Sequence, residues 1–151
     1  MPAVTARPVR TTRVAWVLAA LLVVVFSAVA TTLRGPTDSG KSVFQAGDQV
    51  AMIGLGILAG LGVLLFTRPR VSADEAGIRV RNVIGSYDLP WDLVRAIEFR
   101  RGSPWASLEL VNDDMIAIMA VQAADKQRAV VALRGLRALL DAAHRAAGAA
   151  G

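Results

Sequence analysis

The sequence contains no cysteine, which excludes disulfide bonds, Cys-based zinc sites and cysteine nucleophiles. Histidine is almost as scarce: His144 is the only one, and its place near the end of a helical pattern indicates a solvated residue in a frayed turn. The chain also has no Walker loop, no Gly-x-Ser-x-Gly elbow and no dinucleotide fingerprint. We therefore expect no enzymatic activity, no catalytic residue, no metal site and no cofactor.

Charge is missing from two long stretches, residues 14–33 and 50–67. A helix rises about 1.5 Å per residue, so stretches of this length can cross a hydrocarbon core about 30 Å thick. We predict a transmembrane hairpin in which a polar loop, residues 34–49, connects the two helices. Neither helix has an ionisable side chain in its interior, which argues against an ion path or a transport site.

The hairpin divides the chain into four predicted parts. These are a basic, flexible tail over residues 1–13, the hairpin over 14–67, a folded domain over 68–147 and a flexible tail over 148–151. Basic residues flank the hairpin more densely than they occupy its loop: Arg7, Arg10 and Arg13 before it, Arg68, Arg70, Arg79 and Arg81 after it, and Arg34 and Lys41 within the loop. The positive-inside rule then predicts a multi-pass protein of the inner (plasma) membrane whose N-terminus and C-terminal domain are both cytoplasmic.

The first span has an alternative interpretation. Ala28, Val29 and Ala30 resemble the small-residue cleavage site of a secretory signal, so cleavage after Ala30 is left open. The apolar run is longer than the usual signal core of about 7–15 residues, which favours an uncleaved helix. In both cases the second span returns the chain to the cytoplasm.

After the second span the apolar run gives way to alternation. Short strands are predicted over residues 71–74, 78–81, 87–89, 94–101, 105–111 and 115–120, with a corner at Pro90-Trp91-Asp92. A helix follows, with Asp125 as its N-cap and an apolar stripe formed by Val130, Leu133, Leu136 and Leu140. The pattern predicts a small α+β domain, an antiparallel meander closed by a C-terminal helix.

Three segments of this domain carry a family resemblance. Gly77-Ile78-Arg79-Val80-Arg81, the Pro90-Trp91-Asp92 corner with Ile97, and Phe99-Arg100-Arg101-Gly102-Ser103 resemble the bacterial pleckstrin-homology-like (PH-like) domains. More narrowly, the chain is similar to the actinobacterial membrane proteins grouped with low-molecular-weight protein antigen 6. The resemblance implies a partly open, strongly bent β-barrel or pair of sheets with a helix plugging one end, and it implies no reaction. The turn at residues 74–77 is short and acidic, unlike the long basic loop with which eukaryotic relatives bind inositol phosphates.

Two glycines of the second span, Gly56 and Gly60, form a small-xxx-small pair that lets two helix backbones approach closely. Packing against the first span is the simplest use of this glycine face. Formation of a homo-oligomer, or docking to another membrane protein, is the alternative.

Arginines give the one lead to a binding site in the domain. The candidates for contact with an anionic lipid or a partner are Arg68, Arg70, Arg79, Arg81, Arg100 and Arg101. The alternative is a solvated strand face whose arginines pair with Glu98 or Glu109. Trp105 is a candidate exposed anchor because it follows a Gly-Ser-Pro turn, whereas Trp91 is expected in the core.

These features favour a membrane-anchored interaction or scaffold module that binds a protein partner on the cytoplasmic face, through open strand edges or a groove beside the closing helix. One alternative is an accessory subunit of a larger membrane complex, held through the glycine face. Another is a sensor of anionic lipid. We expect no nucleic-acid partner, because the basic residues lie near a bilayer and are matched by acidic ones.

Overall fold

The computed structural model describes residues 3–32 and 46–149. The chain forms two compact units. One unit covers residues 12–66 and contains most of the two apolar helices. The other combines residues 1–11 with residues 67–151, so the folded domain draws on chain from both sides of the hairpin.

Helix α1 runs over Val9–Thr32 and helix α2 over Ala46–Leu64, after which a 3-10 turn occupies Leu65–Thr67. Both are long and apolar enough to span a membrane. Large apolar side chains on each are exposed, for example Val17 at 70% and Leu58 at 66%, as in helices that contact lipid.

The observed bounds of these helices differ from the predicted ones. Helix α1 begins five residues earlier, inside the predicted tail, and α2 includes residues 46–49 of the predicted loop. The rest of that loop, residues 34–45, and Leu33 lie outside the described residues.

The first sheet of the domain contains four antiparallel strands in the order β1-β2-β3-β4. They are β1 (Val4–Ala6), β2 (Arg70–Ala73), β3 (Gly77–Arg81) and β4 (Ser86–Pro90). In β3 the alternation is complete, because Ile78 and Val80 are buried while Arg79 and Arg81 are exposed. This alternation gives the sheet one apolar face toward the core and one polar face.

Strand β1 corrects the prediction of a flexible tail over residues 1–13. Val4 pairs with Ala73, Thr5 with Ser72 and Ala6 with Val71. Val4 and Ala6 are partly buried against the core, and this burial holds the segment in the sheet. Met1 and Pro2 of the predicted tail lie outside the described residues.

The second sheet contains β5 (Val94–Glu98), β6 (Trp105–Leu110) and β7 (Met115–Gln122), paired antiparallel in chain order. A 3-10 turn, Trp91–Leu93, joins β4 to β5. A second 3-10 turn, Ala123–Asp125, leads into helix α3, Gln127–Ala149. The predicted fold class is confirmed: two apolar helices precede antiparallel sheets and a C-terminal helix, although the sheets do not close into a barrel.

Helix α3 is longer than predicted and is rotated relative to its predicted stripe. Its buried residues are Ala129, Ala132, Leu136, Leu139 and Leu140, which pack on both sheets. Val130 is instead 38% exposed, because the small side chains of Ala129 and Ala132 let that face of the helix approach the sheets. The helix continues to Ala149, so the described part of the predicted flexible tail is helical, while residues 150–151 lie outside the described residues.

The Gly77 and Trp91 segments of the family resemblance meet in the structure. A Cβ at Gly77 would lie 2.4 Å from the carbonyl oxygen of Leu89, so only glycine fits where β3 meets β4. Trp91 is buried, as expected, and its indole N–H donates to the carbonyl oxygen of Asp74 at 2.8 Å. These contacts hold Trp91 in the core beside the point where β3 and β4 approach each other closely.

Asn82 bridges the two sheets. It follows β3 and is 7% exposed. Its side-chain amide donates to the carbonyl oxygen of Ala117 at 2.8 Å, and its Oδ1 accepts from the N–H of Met119 at 3.1 Å. One buried side chain thus satisfies two backbone groups of β7 where no strand pairs with them.

We expect Asn82→Ala to lower the free energy of unfolding by about 2 kcal/mol, because it leaves both backbone groups of β7 without a partner in a buried site. The measurement is a urea titration of the full-length protein in detergent, followed by tryptophan fluorescence, to which the buried Trp91 contributes. The matched control is Asn112→Ala, which removes an exposed amide that bonds only within its own turn. A midpoint for Asn82→Ala equal to that of the control would contradict the bridging role.

Candidate functional site: an arginine face and a groove

Three of the predicted arginines share the exposed face of the first sheet. Arg70 on β2 lies directly opposite Arg81 on β3, and Arg79 lies opposite Ser72. Ser86 on β4 is the other cross-strand neighbour of Arg81. These five residues, which we call the arginine face, line an open cleft of about 340 Å³.

The arginines of this face differ in their partners. Arg79 donates to the carboxylate of Asp88 on β4, with its Nε 2.9 Å from Oδ2. The hydrogen bond and the charge of Asp88 raise the pKa of Arg79 above its ordinary value. Within the part of the chain that the structure describes, no acidic side chain pairs with Arg70 or Arg81.

The remaining candidate arginines are placed differently. The Nε of Arg100 lies 3.2 Å from Oε2 of Glu98, at the end of β5. Glu98 is one of the two acidic partners that the sequence offered for the arginines. The other, Glu109, pairs with Arg95, which also binds Asp113. Arg101 is exposed in the turn after β5, and Arg68 is exposed between the 3-10 turn and β2.

A groove runs between the edge strand β1 and helix α3. It has a volume of about 640 Å³ and a largely apolar floor. A Cβ at Gly135 would lie 3.0 Å from Cγ2 of Val4, so glycine allows α3 to approach the strand. Val131, 61% exposed, lines one wall, and Arg7 and Arg128 stand exposed at the groove. We call this feature the β1–α3 groove.

The first turn of α1 is held by the domain. Asp125 is 8% exposed, and its carboxylate accepts from the backbone N–H groups of Val9 and Arg10 at 3.3 and 3.1 Å. Next to it the hydroxyl of Thr11 donates to Oε1 of Gln122. Asp125 therefore caps α1 and not α3, because it ends a 3-10 turn two residues before α3 begins.

His144 and Trp105 also differ from their predicted settings. His144 is exposed, but one ring nitrogen, Nε2, lies 3.1 Å from the carbonyl oxygen of Val94, in an ordered turn of α3. Trp105 is half-buried as the first residue of β6. No group of three or more acidic or histidine side chains that could hold a metal ion occurs among residues 3–32 and 46–149.

The glycine face of α2 lies against α1. Gly56 and Gly60 are buried, and a Cβ at these positions would lie 2.6 Å from Cβ of Phe26 and 3.3 Å from the carbonyl oxygen of Ala19. Gly54 and Gly62 on the same helix have no atom within 4 Å of an added Cβ. The hairpin thus uses the Gly56/Gly60 side of α2 for its own packing.

Three features of the structure have no simple sequence signal. Asn82 follows a strand and precedes a turn, where asparagine is common for local reasons alone. Asp125 stands immediately before a helical pattern, so the local rule assigns it to the wrong helix. The opposition of Arg70 and Arg81 needed the strand register, which the alternation alone leaves undefined.

Comparison with known proteins identifies a family that matches the folded domain. Residues 68–139 match the family described as bacterial PH domain. An uncharacterized protein of Mycobacterium bovis and one of Mycobacterium tuberculosis are each 43% identical to the chain over 122 residues, which is 81% of this chain and 79% of each relative. No solved structure gives a significant match. With its two sheets, its closing helix and its mycobacterial relatives, the chain belongs to the bacterial PH domain family.

Proposed function

We propose that the chain is a membrane-anchored PH-like module that binds a protein partner on the cytoplasmic face of the membrane. The observation that carries the proposal is the β1–α3 groove, where an edge strand, an apolar floor and two exposed arginines lie together. An edge strand offers backbone groups to an added strand, and the neighbouring helix offers a surface for its side chains.

The pairing of β1 with β2 supports a hairpin topology. Residues 4–6 precede α1 and residues 70–73 follow α2, yet they are neighbours in one sheet. Both segments must then be on the same side of the bilayer, which requires an even number of crossings between them. The density of arginines at both ends of the hairpin supports a cytoplasmic location for that side.

The same pairing supports retention of the first span. Cleavage after Ala30 would separate β1 from the domain and leave the buried carboxylate of Asp125 without the two N–H groups that it caps. Loss of partners for a buried charged group destabilises a fold. An uncleaved α1 is therefore the state that the domain favours.

The chemistry of the groove defines its partner. Val131 and the floor suit an extended segment with apolar side chains, and Arg7 and Arg128 suit acidic residues that flank it. In the described part of the chain neither arginine has an acidic partner. The proposed partner is an acidic protein that supplies an extended strand.

A photo-crosslinking amino acid at position 131 of the full-length protein, activated in its own membranes, tests this function. We expect one dominant adduct, and we expect Arg7→Glu with Arg128→Glu to weaken capture roughly tenfold, because the variant repels an acidic partner. The matched control is Arg134→Glu with Arg145→Glu, which reverses two exposed charges elsewhere on α3. The same crosslinker at exposed Val111 controls for chance encounters.

Equal capture by wild type and the Arg7, Arg128 variant would contradict docking in the groove. Loss of capture in the Arg134, Arg145 control as well would indicate a response to total charge alone. Neither result depends on the glycine face of α2. The contact of that face with α1 supports packing within the hairpin. It gives less support to the alternatives, an accessory subunit or a homo-oligomer held by the same face.

A further inference from the structure

The pairing of Arg70 with Arg81 has a cost for the fold. The two residues lie directly opposite each other on adjacent antiparallel strands, and both are exposed on the same face. Like charges in this arrangement destabilise a sheet. Arg79 lies on the same face, two residues before Arg81, and has Asp88 opposite it on β4. Arg81 has Ser86 opposite it, a residue with no charge to offset that of the arginine.

The groups around the two arginines are suited to an anion. Cross-strand neighbours share a face, so the row formed by Arg70, Arg81 and Ser86 presents two guanidinium groups and a hydroxyl side by side. Ser72 adds a second hydroxyl to the same cleft. The nearest carboxylate of the face, Asp88, is already neutralised by Arg79. Guanidinium groups bind phosphate through paired N–H donors, and hydroxyls donate to the remaining oxygens.

The sequence position of the cleft indicates where that phosphate comes from. Arg70 is three residues after Thr67, the last residue of the second candidate span. Three extended residues reach at most about 11 Å, so Arg70 cannot be farther than this from the end of the span. Phosphate groups of lipids occupy this interfacial layer, and anionic leaflets attract basic residues within it.

We propose that Arg70 and Arg81, with the hydroxyls of Ser72 and Ser86, form a binding site for the phosphate of an anionic phospholipid headgroup. This site is separate from the β1–α3 groove and shares no residue with it. It rests on the membrane anchoring in the proposed function but not on the protein partner, so failure of the lipid experiment leaves the groove experiment unaffected. The two opposed arginines lower the stability of the sheet, and their role is to bind the phosphate.

The test uses the full-length protein in neutral detergent micelles, with bound lipid counted by native mass spectrometry during titration with phosphatidylglycerol. We expect Arg70→Gln with Arg81→Gln to raise the dissociation constant about thirtyfold. The matched control, Arg134→Gln with Arg145→Gln, removes the same charge from α3 and should change binding less than twofold. Phosphatidylcholine, whose net charge is zero, should bind more weakly to the wild type.

Unfolding provides a second readout that separates the site from a structural role. Because the variant removes two opposed like charges, its urea midpoint should equal or exceed that of the wild type while its lipid affinity falls. A fall in both would mean that the arginines support the fold, and it would overturn the proposal.

Three further outcomes would also overturn it. These are equal phosphatidylglycerol binding by the variant and the wild type, complete displacement of the lipid by millimolar inorganic phosphate, and displacement by an acidic peptide at lower concentration than by lipid. The second outcome would assign the site to free phosphate, and the third to a protein ligand.

Discussion

Replacing Val4-Thr5-Ala6 with Gly-Ser-Gly is expected to lower the free energy of unfolding of the domain by about 3 kcal/mol. Val4 and Ala6 pack against the core, and burial of a valine side chain alone contributes about 1.5–3 kcal/mol. Glycine in a strand adds a further entropic cost of about 0.5–1 kcal/mol per residue. The measurement is the urea titration of the full-length protein with tryptophan fluorescence as its signal.

The control for this variant is Thr5→Ser, which changes the one residue of β1 that is exposed and leaves both apolar contacts in place. It should alter stability by less than about 0.5 kcal/mol. If the Gly-Ser-Gly variant unfolds at the same urea concentration as Thr5→Ser, then β1 contributes nothing to the domain and the family-matched residues 68–139 with α3 suffice.

Gly56→Leu combined with Gly60→Leu should disrupt the hairpin, at an expected cost of about 4 kcal/mol. A Cβ at Gly56 would already lie 2.6 Å from Cβ of Phe26, and leucine adds three more carbons in the same direction. Overpacking of this kind costs about 1–3 kcal/mol per site when the neighbours cannot move away. The contact at Gly60 is to backbone, which yields less than a side chain.

Because the protein has no cysteine, hairpin stability can be measured with dyes attached to introduced cysteines. Single cysteines introduced at exposed Val17 on α1 and exposed Leu61 on α2 accept a donor and an acceptor dye. We expect energy transfer to be lost at a lower fraction of sodium dodecyl sulfate in the double variant. Gly54→Leu with Gly62→Leu is the matched control, because neither site has an atom within 4 Å of an added Cβ. A shift of equal size in the control would show that glycine content, and not helix contact, sets hairpin stability.

Much of the fold could be predicted from periodicity. The two uncharged runs, the period-two alternation and the final helical pattern correspond to α1, α2, the strands after the hairpin and α3. Strand β1 could not be predicted in this way, because a strand of three residues is too short to show a period and its partner strand lies beyond the whole hairpin. The buried face of α3 differs from the predicted apolar stripe because leucine and valine dominate the hydrophobic pattern, whereas small alanines decide how closely a helix packs.

The candidate site was predictable in composition but not in arrangement. Sequence places Arg79 and Arg81 on a strand and Arg70 immediately before one, yet only the register distinguishes the arginine that faces Asp88 from the pair that face each other. The β1–α3 groove depends on a strand that sequence did not predict. The Gly56/Gly60 pair needed no register, because four-residue spacing alone places both on one side of a helix.

The split origin of the first sheet has a consequence for biosynthesis. Strand β1 is synthesised before both apolar helices and its partner β2 after them, so the sheet cannot be completed until both helices have been made. A chain that inserted one helix and left the other out would have β1 and β2 on opposite sides of the bilayer. Its domain would then present a bare edge on β2 and an uncapped carboxylate at Asp125. Completion of the first sheet and capping by Asp125 therefore depend on both apolar helices reaching the arrangement that brings β1 next to β2.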